Sequence, residues 1–227
     1  QRKLAGIGAV LIEGPKWCGK TTTAEQQAST IIYMDDPLYK EQNLRMADIN
    51  PKALLVGECP ILVDEWQLAP KLWDTIRFEV DHREGEGLFI LTGSAVPAKT
   101  EEIHHSGAGR FAWPMSLYES GESSGEVSLE GMFETPDNIM GINKLSLDDI
   151  AFLICRGGWP RASLQTGDIA LDQVKYYYDA VTRSDISRVD GVRRNQERAK
   201  RLMRSYARHQ GSQAPISTIV EDMRVND

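Results

Sequence analysis

Gly14-Pro15-Lys16-Trp17-Cys18-Gly19-Lys20-Thr21 is the stretch whose reading decides the fold. It follows the apolar run Ala9-Val10-Leu11-Ile12, which reads as a buried strand, and leads into Thr21-Thr22-Thr23-Ala24-Glu25-Gln26, which can open a helix. A strand, a glycine loop and a helix start, in that order, form the context a phosphate-binding P-loop needs. Gly14 and Gly19 have no Cβ, so the backbone can curl and aim several amide N–H groups at one point, where the helix dipole also favours an anion. The expected cradle runs from Gly14 through Pro15, Lys16, Trp17, Cys18 and Gly19 to Lys20, Thr21 and Thr22. Lys20 would reach the β- and γ-phosphates, and the Thr21 hydroxyl would ligate Mg²⁺. The plainer alternative is a glycine turn before an ordinary helix.

Two further strands follow, Ile31 to Asp35 and Ile61-Leu62-Val63, the second running directly into Asp64-Glu65. An apolar run ending in adjacent carboxylates has the form of a Walker B strand. Asp64 would hold Mg²⁺ through its water shell, and Glu65 would polarise the water that attacks the γ-phosphate. A fourth strand, Leu88 to Leu91, ends in Thr92-Gly93-Ser94. These hydroxyls can form a simple turn; in an ATPase with such a loop the strand's tip would point at the γ-phosphate, with Ser94 as the first candidate for a phosphate sensor and Thr92 as the second. Between these strands Leu68, Leu72, Ile76 and Val80 mark one face of a crossover helix, and Trp66 and Trp73 read as packing residues. Alternating strands and helices predict a mainly parallel α/β sheet with its ligand at the carboxyl ends of the strands.

Arg110 lies just before an expected last strand over Phe111 to Leu117, where its cation would act as an arginine finger or simply sit on a glycine loop. Residues 118–143 are rich in Ser, Gly, Glu and Pro and read as a surface connection. Helical periodicity resumes at Leu147, capped by Ser146, and stops at Gly157-Gly158-Trp159-Pro160. Further helices are expected over Asp168 to Thr182 and along a face made by Ala199, Leu202, Met203 and Tyr206. The stretch from Arg183 to Arg208 holds nine basic and three acidic residues, which makes Arg194, Arg198 and Arg201 candidates for contact with DNA or a protein partner.

The chain has 227 residues and a formal charge of −7, so it is long enough for a sizeable core and not basic as a whole. No apolar run approaches the roughly 18 residues of a membrane span, and no basic-then-apolar leader is present, so a cytoplasmic protein is expected. Cys18, Cys59 and Cys155 are odd in number and scattered, which fits neither a disulfide framework nor a zinc site. Adjacent His104 and His105 would point to opposite faces of an extended segment, so no metal site is expected there. The start at Gln1 and the stop at Asp227 lead us to expect a fragment of a longer protein.

Taken together, GPKWCGKTTTA at 14–24, ILVDEWQLAP at 61–70, FILTGSAVP at 89–97, HSGAGR at 105–110, GGWPRA at 157–162 and SDISRVDG at 184–191 resemble the prokaryotic AAA-type ATPases of the STAND-related group, whose members carry a C-terminal domain of unknown function. The resemblance covers nearly the whole chain. It implies a P-loop core over 1–143 with strand order 5-1-4-3-2 flanked by helices, a helical lid over 144–190, and the start of a winged-helix module over 191–227. It also implies ATP and Mg²⁺ as ligands. Gly158-Trp159-Pro160 resembles the Gly-x-Pro motif of STAND lids, which places Pro160, with Trp159, beside the adenine. In one respect the chain departs from the pattern: only Phe111, Ala112 and Trp113 separate Arg110 from Pro114-Met115-Ser116, where the family carries a longer basic run.

The leading expectation is an ATPase that turns over slowly and uses nucleotide state to set the angle between core and lid, with self-association left open. The alternatives are a nucleotide-dependent DNA- or protein-binding module with negligible hydrolysis, and a P-loop kinase acting on a small molecule.

Overall fold

The apolar run ahead of the glycine loop becomes an inner strand of a parallel sheet. The computed structural model describes residues 2–93, 108–188 and 194–224, and the chain forms two units, Gln1–Ala170 and Leu171–Asp227. In the first unit the strands are β1 (Ala9–Glu13), β2 (Thr30–Tyr33), β3 (Ile61–Asp64), β4 (Phe89–Gly93) and β5 (Ala108–Phe111). They lie in the order β2-β3-β4-β1-β5, which reads 5-1-4-3-2 from the β5 edge, and all four pairings are parallel. Helix α1 (Lys20–Glu25) connects β1 to β2, while α2 (Lys40–Ile49) and α3 (Pro51–Leu54) lead into β3. Helix α4 (Lys71–His82) then crosses from β3 to β4.

The central strands are continuous apolar runs because both of their faces are covered, as a parallel sheet requires. Ile61, Leu62 and Val63 on β3 and Phe89, Ile90 and Leu91 on β4 are all buried. One face packs against Leu72, Trp73 and Ile76 of α4, and the other meets Ala24. Leu68 does not join this face. It is exposed in a short 3-10 turn, Trp66–Leu68, because Pro70 delays the regular helix until Lys71. Trp66 and Trp73 are buried and pack against each other with ring centroids 5.1 Å apart.

A buried charge locks α3 and α4 onto the sheet. Glu79, only 3% exposed, pairs with Lys52 at 2.9 Å and with Arg83 at 2.6 Å. Arg83 also donates to the Leu55 carbonyl and lies over the Phe89 ring. These cations, the Lys52 hydrogen bond foremost, hold the Glu79 carboxyl below its ordinary range.

The last strand differs from expectation. It occupies residues 108–111, so Arg110 lies inside it, in register with Ile12. The cause is the length of its neighbour: β1 ends at Glu13 and bends into the glycine loop, so no parallel partner exists beyond Ala112, whose N–H still donates to the Glu13 carbonyl. The following Met115 N–H instead donates to the Gly158 carbonyl at 2.6 Å.

The 118–143 connection contains a short helix, α5 (Leu129–Glu134), capped by Ser128. Helix α6 (Leu147–Arg156) begins at Ser146 with a complete capping box closed by Asp149 and ends at Gly157. Arg156, buried near its end, pairs with Glu122 and donates to Ser120, which ties α6 to the chain leaving the sheet. A short α7 (Pro160–Ser163) precedes α8 (Gly167–Ala180), which spans the division between the units.

In the second unit a π-helical turn, Val181–Asp185, and α9 (Ile186–Arg188) precede α10 (Gln196–Arg208) and α11 (Ile216–Arg224). Asn195 caps α10 by accepting from the N–H groups of Glu197 and Arg198. Ala199 is buried on α10 as its pattern predicts, but Tyr206 points outward and Ser205 inward. The reason is polar: the Ser205 hydroxyl donates to Asp222 of α11 at 2.8 Å, and Asp222 also meets His209 and Arg208. Among the described residues no helix is long and apolar enough to cross a membrane.

Candidate nucleotide site

The loop between β1 and α1 takes the shape its glycines allow. Gly19 caps α1 in the left-handed region at φ 90°, and Trp17 is also left-handed at φ 64°. Such alternation folds a backbone into an anion-binding concavity at a helix start. Gly14 is required for a separate reason, because at φ 154° any Cβ would run into the Ala112 carbonyl. That carbonyl also lies 3.6 Å from the buried Cys18 thiol, so the chain leaving β5 forms the floor of the loop. Pro15 and Lys16 are half-buried in the loop wall, with the Lys16 ammonium 5.6 Å from the centroid of the exposed Trp17 ring. Thr22 is exposed on the first turn of α1.

Lys20 is buried, and its ammonium donates to the carbonyls of Gly14 at 3.1 Å and Pro15 at 2.8 Å. The cation is thus desolvated and held over the loop by oxygens of the loop itself, from which phosphate oxygens could recruit it. Beside it the Thr21 hydroxyl donates to Asp64 Oδ1 at 2.8 Å. Asp64 Oδ1 accepts a second hydrogen bond from the fully buried Thr92 hydroxyl on the neighbouring strand. This convergence follows from the sheet register, which sets Asp64 level with Thr92.

A hydroxyl and a single carboxylate at hydrogen-bond distance form a hard oxygen donor pair. They fit Mg²⁺, which is commonly held by one or two protein oxygens together with waters and substrate phosphates. No group of three or more His, Cys, Asp or Glu side chains suited to a metal ion occurs among the described residues.

Glu65 leaves the end of β3 in the left-handed region at φ 55°, an uncommon conformation for a residue with a side chain. Burial raises its pKa above the usual carboxylate range, helped by the charges of Asp64 and Asp35 and opposed by Gln67 and Lys20. A half-buried carboxyl whose pKa is raised is suited to taking a proton. Gln67 donates from Nε2 to Glu65 Oε2, so the 3-10 turn folds back on the acid.

Pro160 packs toward the loop: a Cβ on Gly19 would meet its Cγ at 3.5 Å. Gly158, two residues earlier, has no room for a side chain because the Met115 backbone fills that space. The structure thus brings Thr21 to Asp64, with Lys20 and Glu65 as their chain neighbours, and sets Pro160 beside Gly19. Ser94 lies outside the described residues, as do His104, His105 and the Arg110 side chain. Gln67 and the Ala112 carbonyl are not among the residues expected from the sequence. The pair Trp66-Gln67 directly after two acids was the available signal for the first, whereas a carbonyl leaves no trace in composition.

The order of the parallel strands, with the loop leaving an inner strand and its helix starting at the lysine, defines an α/β nucleotide-binding fold of the P-loop kind. A family model described as AAA domain matches residues 7–120 of the 227, half of the chain, and the chain belongs to this family of nucleotide-binding ATPases. A second model, described as a domain of unknown function (DUF8612), matches residues 147–227. No curated protein sequence matches the chain.

Proposed function

We propose that this protein binds Mg²⁺-ATP at the Gly14–Thr22 loop and hydrolyses it slowly to ADP and phosphate. The observation that carries the reading is the hydrogen bond from Thr21 to Asp64, with Lys20 held on the loop carbonyls one residue before Thr21 and Glu65 next after Asp64 along the chain. Lys20 would grip the β- and γ-phosphates, and Thr21 and Asp64 would hold the metal, which supplies charge neutralisation for phosphoryl transfer. Glu65 would accept a proton from the attacking water. Ser94 is retained as the proposed sensor, and Arg110 as a finger acting within one subunit or across two.

The STAND-related reading draws support from Pro160 beside Gly19, since a lid residue against the loop can exchange contacts with a bound base. Nucleotide state would then bias the angle between core and lid, through whatever difference in affinity the two arrangements have for ATP and ADP. Domain limits of 1–143, 144–190 and 191–227, a winged-helix start in the last of these, and self-association belong to this proposal. Phosphate release without any acceptor, lost in Glu65→Gln while ATP affinity persists, tests it. Release only in the presence of a small-molecule acceptor would make the protein a kinase.

A second reading, a nucleotide-dependent module that binds DNA or protein with little hydrolysis, is favoured by the exposed guanidinium groups of Arg198, Arg204 and Arg208 along α10. Affinity for duplex DNA that falls with salt, and falls further when Arg194, Arg198 and Arg201 are neutralised, would support it.

A further inference from the structure

Gln67 is the side chain near this site that the scheme above leaves without a task. Its amide is oriented by its partner: a carboxylate only accepts, so the nitrogen faces Glu65 and the carbonyl oxygen faces away. That oxygen, Oε1, is buried without a hydrogen-bond partner among the described residues. It rests on Gly93, where a Cβ would collide with it, at the carboxyl end of β4. Strand β4 lies between β1, which feeds the phosphate loop, and β3, which carries Asp64. The amide therefore has its donor engaged by the candidate base, and its orphaned acceptor lies over the strand end where the γ-phosphate is expected.

A buried acceptor with no partner is unfavourable and suits a site that receives a donor during its working cycle. Water is the donor that fits hydrolysis. One O–H would point to Gln67 Oε1 and the other to the Glu65 carboxylate, leaving a lone pair for phosphorus. We propose that Gln67 is a positioning residue that holds the hydrolytic water through Oε1 while fixing Glu65 through Nε2. In the step it serves, the water oxygen bonds to the γ-phosphorus, and the bond to the bridging oxygen breaks with its electron pair leaving on ADP. The released proton passes to Glu65. Gly93 takes part by leaving Gln67 room, so the pair forms one unit. The inference rests on Glu65 being the base.

The test compares wild type with Gln67→Met, Gln67→Glu, Gly93→Ala and Glu65→Gln by ATP turnover, reading kcat and KM separately. Gln67→Met should lower kcat at least about tenfold with KM for ATP within about twofold, the pattern of a group acting after binding. Gly93→Ala should reproduce the kcat loss and add little when combined with Gln67→Met. Wild-type kcat in Gln67→Met overturns the proposal, and so do losses that multiply in the double variant. If Gln67→Met does not fold, Gln67→Glu decides: a reduced kcat with KM for ATP within about twofold supports the proposal, and wild-type kcat overturns it. Unchanged turnover in Glu65→Gln instead overturns the assignment of the base and, with it, the role built on it.

Discussion

The Thr21 hydroxyl donates to Asp64 Oδ1 at 2.8 Å although 43 positions separate the two residues in the chain. One belongs to the first turn of α1 and the other to the end of β3, and the strands that lead to them are separated in the sheet by β4. The contact therefore requires the β1-β4-β3 order, so the fold itself brings the oxygen donors together.

Asp64→Asn keeps an acceptor for Thr21 and Thr92 but removes the charge a divalent ion needs. ATP affinity measured by calorimetry should fall at least about tenfold with Mg²⁺ present and change little without it, one lost charged interaction being worth about 1.5–3 kcal/mol. Equal losses in both conditions would show that Asp64 supports the loop rather than the metal.

Glu65→Gln should cut turnover about 100-fold, the scale of a lost general base. It should also raise the melting temperature at neutral pH. The folded pKa of Glu65 lies above its ordinary 4.5, so the stabilisation gained on protonation is complete below that value and disappears as pH rises through the folded one. At neutral pH the buried charge is a cost that glutamine lacks, and the gap between the variants should close on acidification. A lower melting temperature in Glu65→Gln at pH 7 would refute this.

Glu79 has the opposite sign. Its folded pKa is depressed, so the contribution of its pairs is whole above the ordinary value of 4.5 and is lost as pH falls from there through the folded value. Glu79→Ala should cost about 2 kcal/mol near neutrality, by loss of hydrogen bonds to charged groups, and progressively less in acid. Urea unfolding of both proteins across that range checks the slope.

Gly158→Ala places a methyl group against the Met115 backbone. The contact is with main chain and cannot be relieved by a rotamer change, so a loss of about 1–3 kcal/mol is expected. Thermal unfolding measures it, and nucleotide affinity should fall alongside if the turn before Pro160 serves the loop.

Patterns that depend on burial were legible in the sequence. The runs that became β1, β3 and β4 are apolar because both of their faces are covered, and Leu72 and Ile76 reveal the α4 face by their spacing. The loop between β1 and α1 was legible because glycines between an apolar run and a helix start mark a turn. Helices α2 and α3 escaped because α2 is largely exposed, with Ala47 as its one fully buried residue, and α3 has none. The position of β5 was misjudged because strand length is set by the pairing partner: β1 runs out at Glu13, a limit that no pattern within residues 108–117 expresses. Gln67 escaped because its importance lies in the turn geometry after Glu65, where the left-handed residue is a glutamate rather than the glycine that would announce it.

The Ala112 carbonyl beneath Gly14 separates two kinds of evolutionary constraint. A descendant that had abandoned nucleotides altogether would be free to replace Lys20 or Thr21, yet would keep glycine at 14, since the exit of the last strand leaves that position no room. In degenerate copies of such a gene the glycine would be a fossil of the architecture, and only the lysine and threonine would testify to a living chemistry.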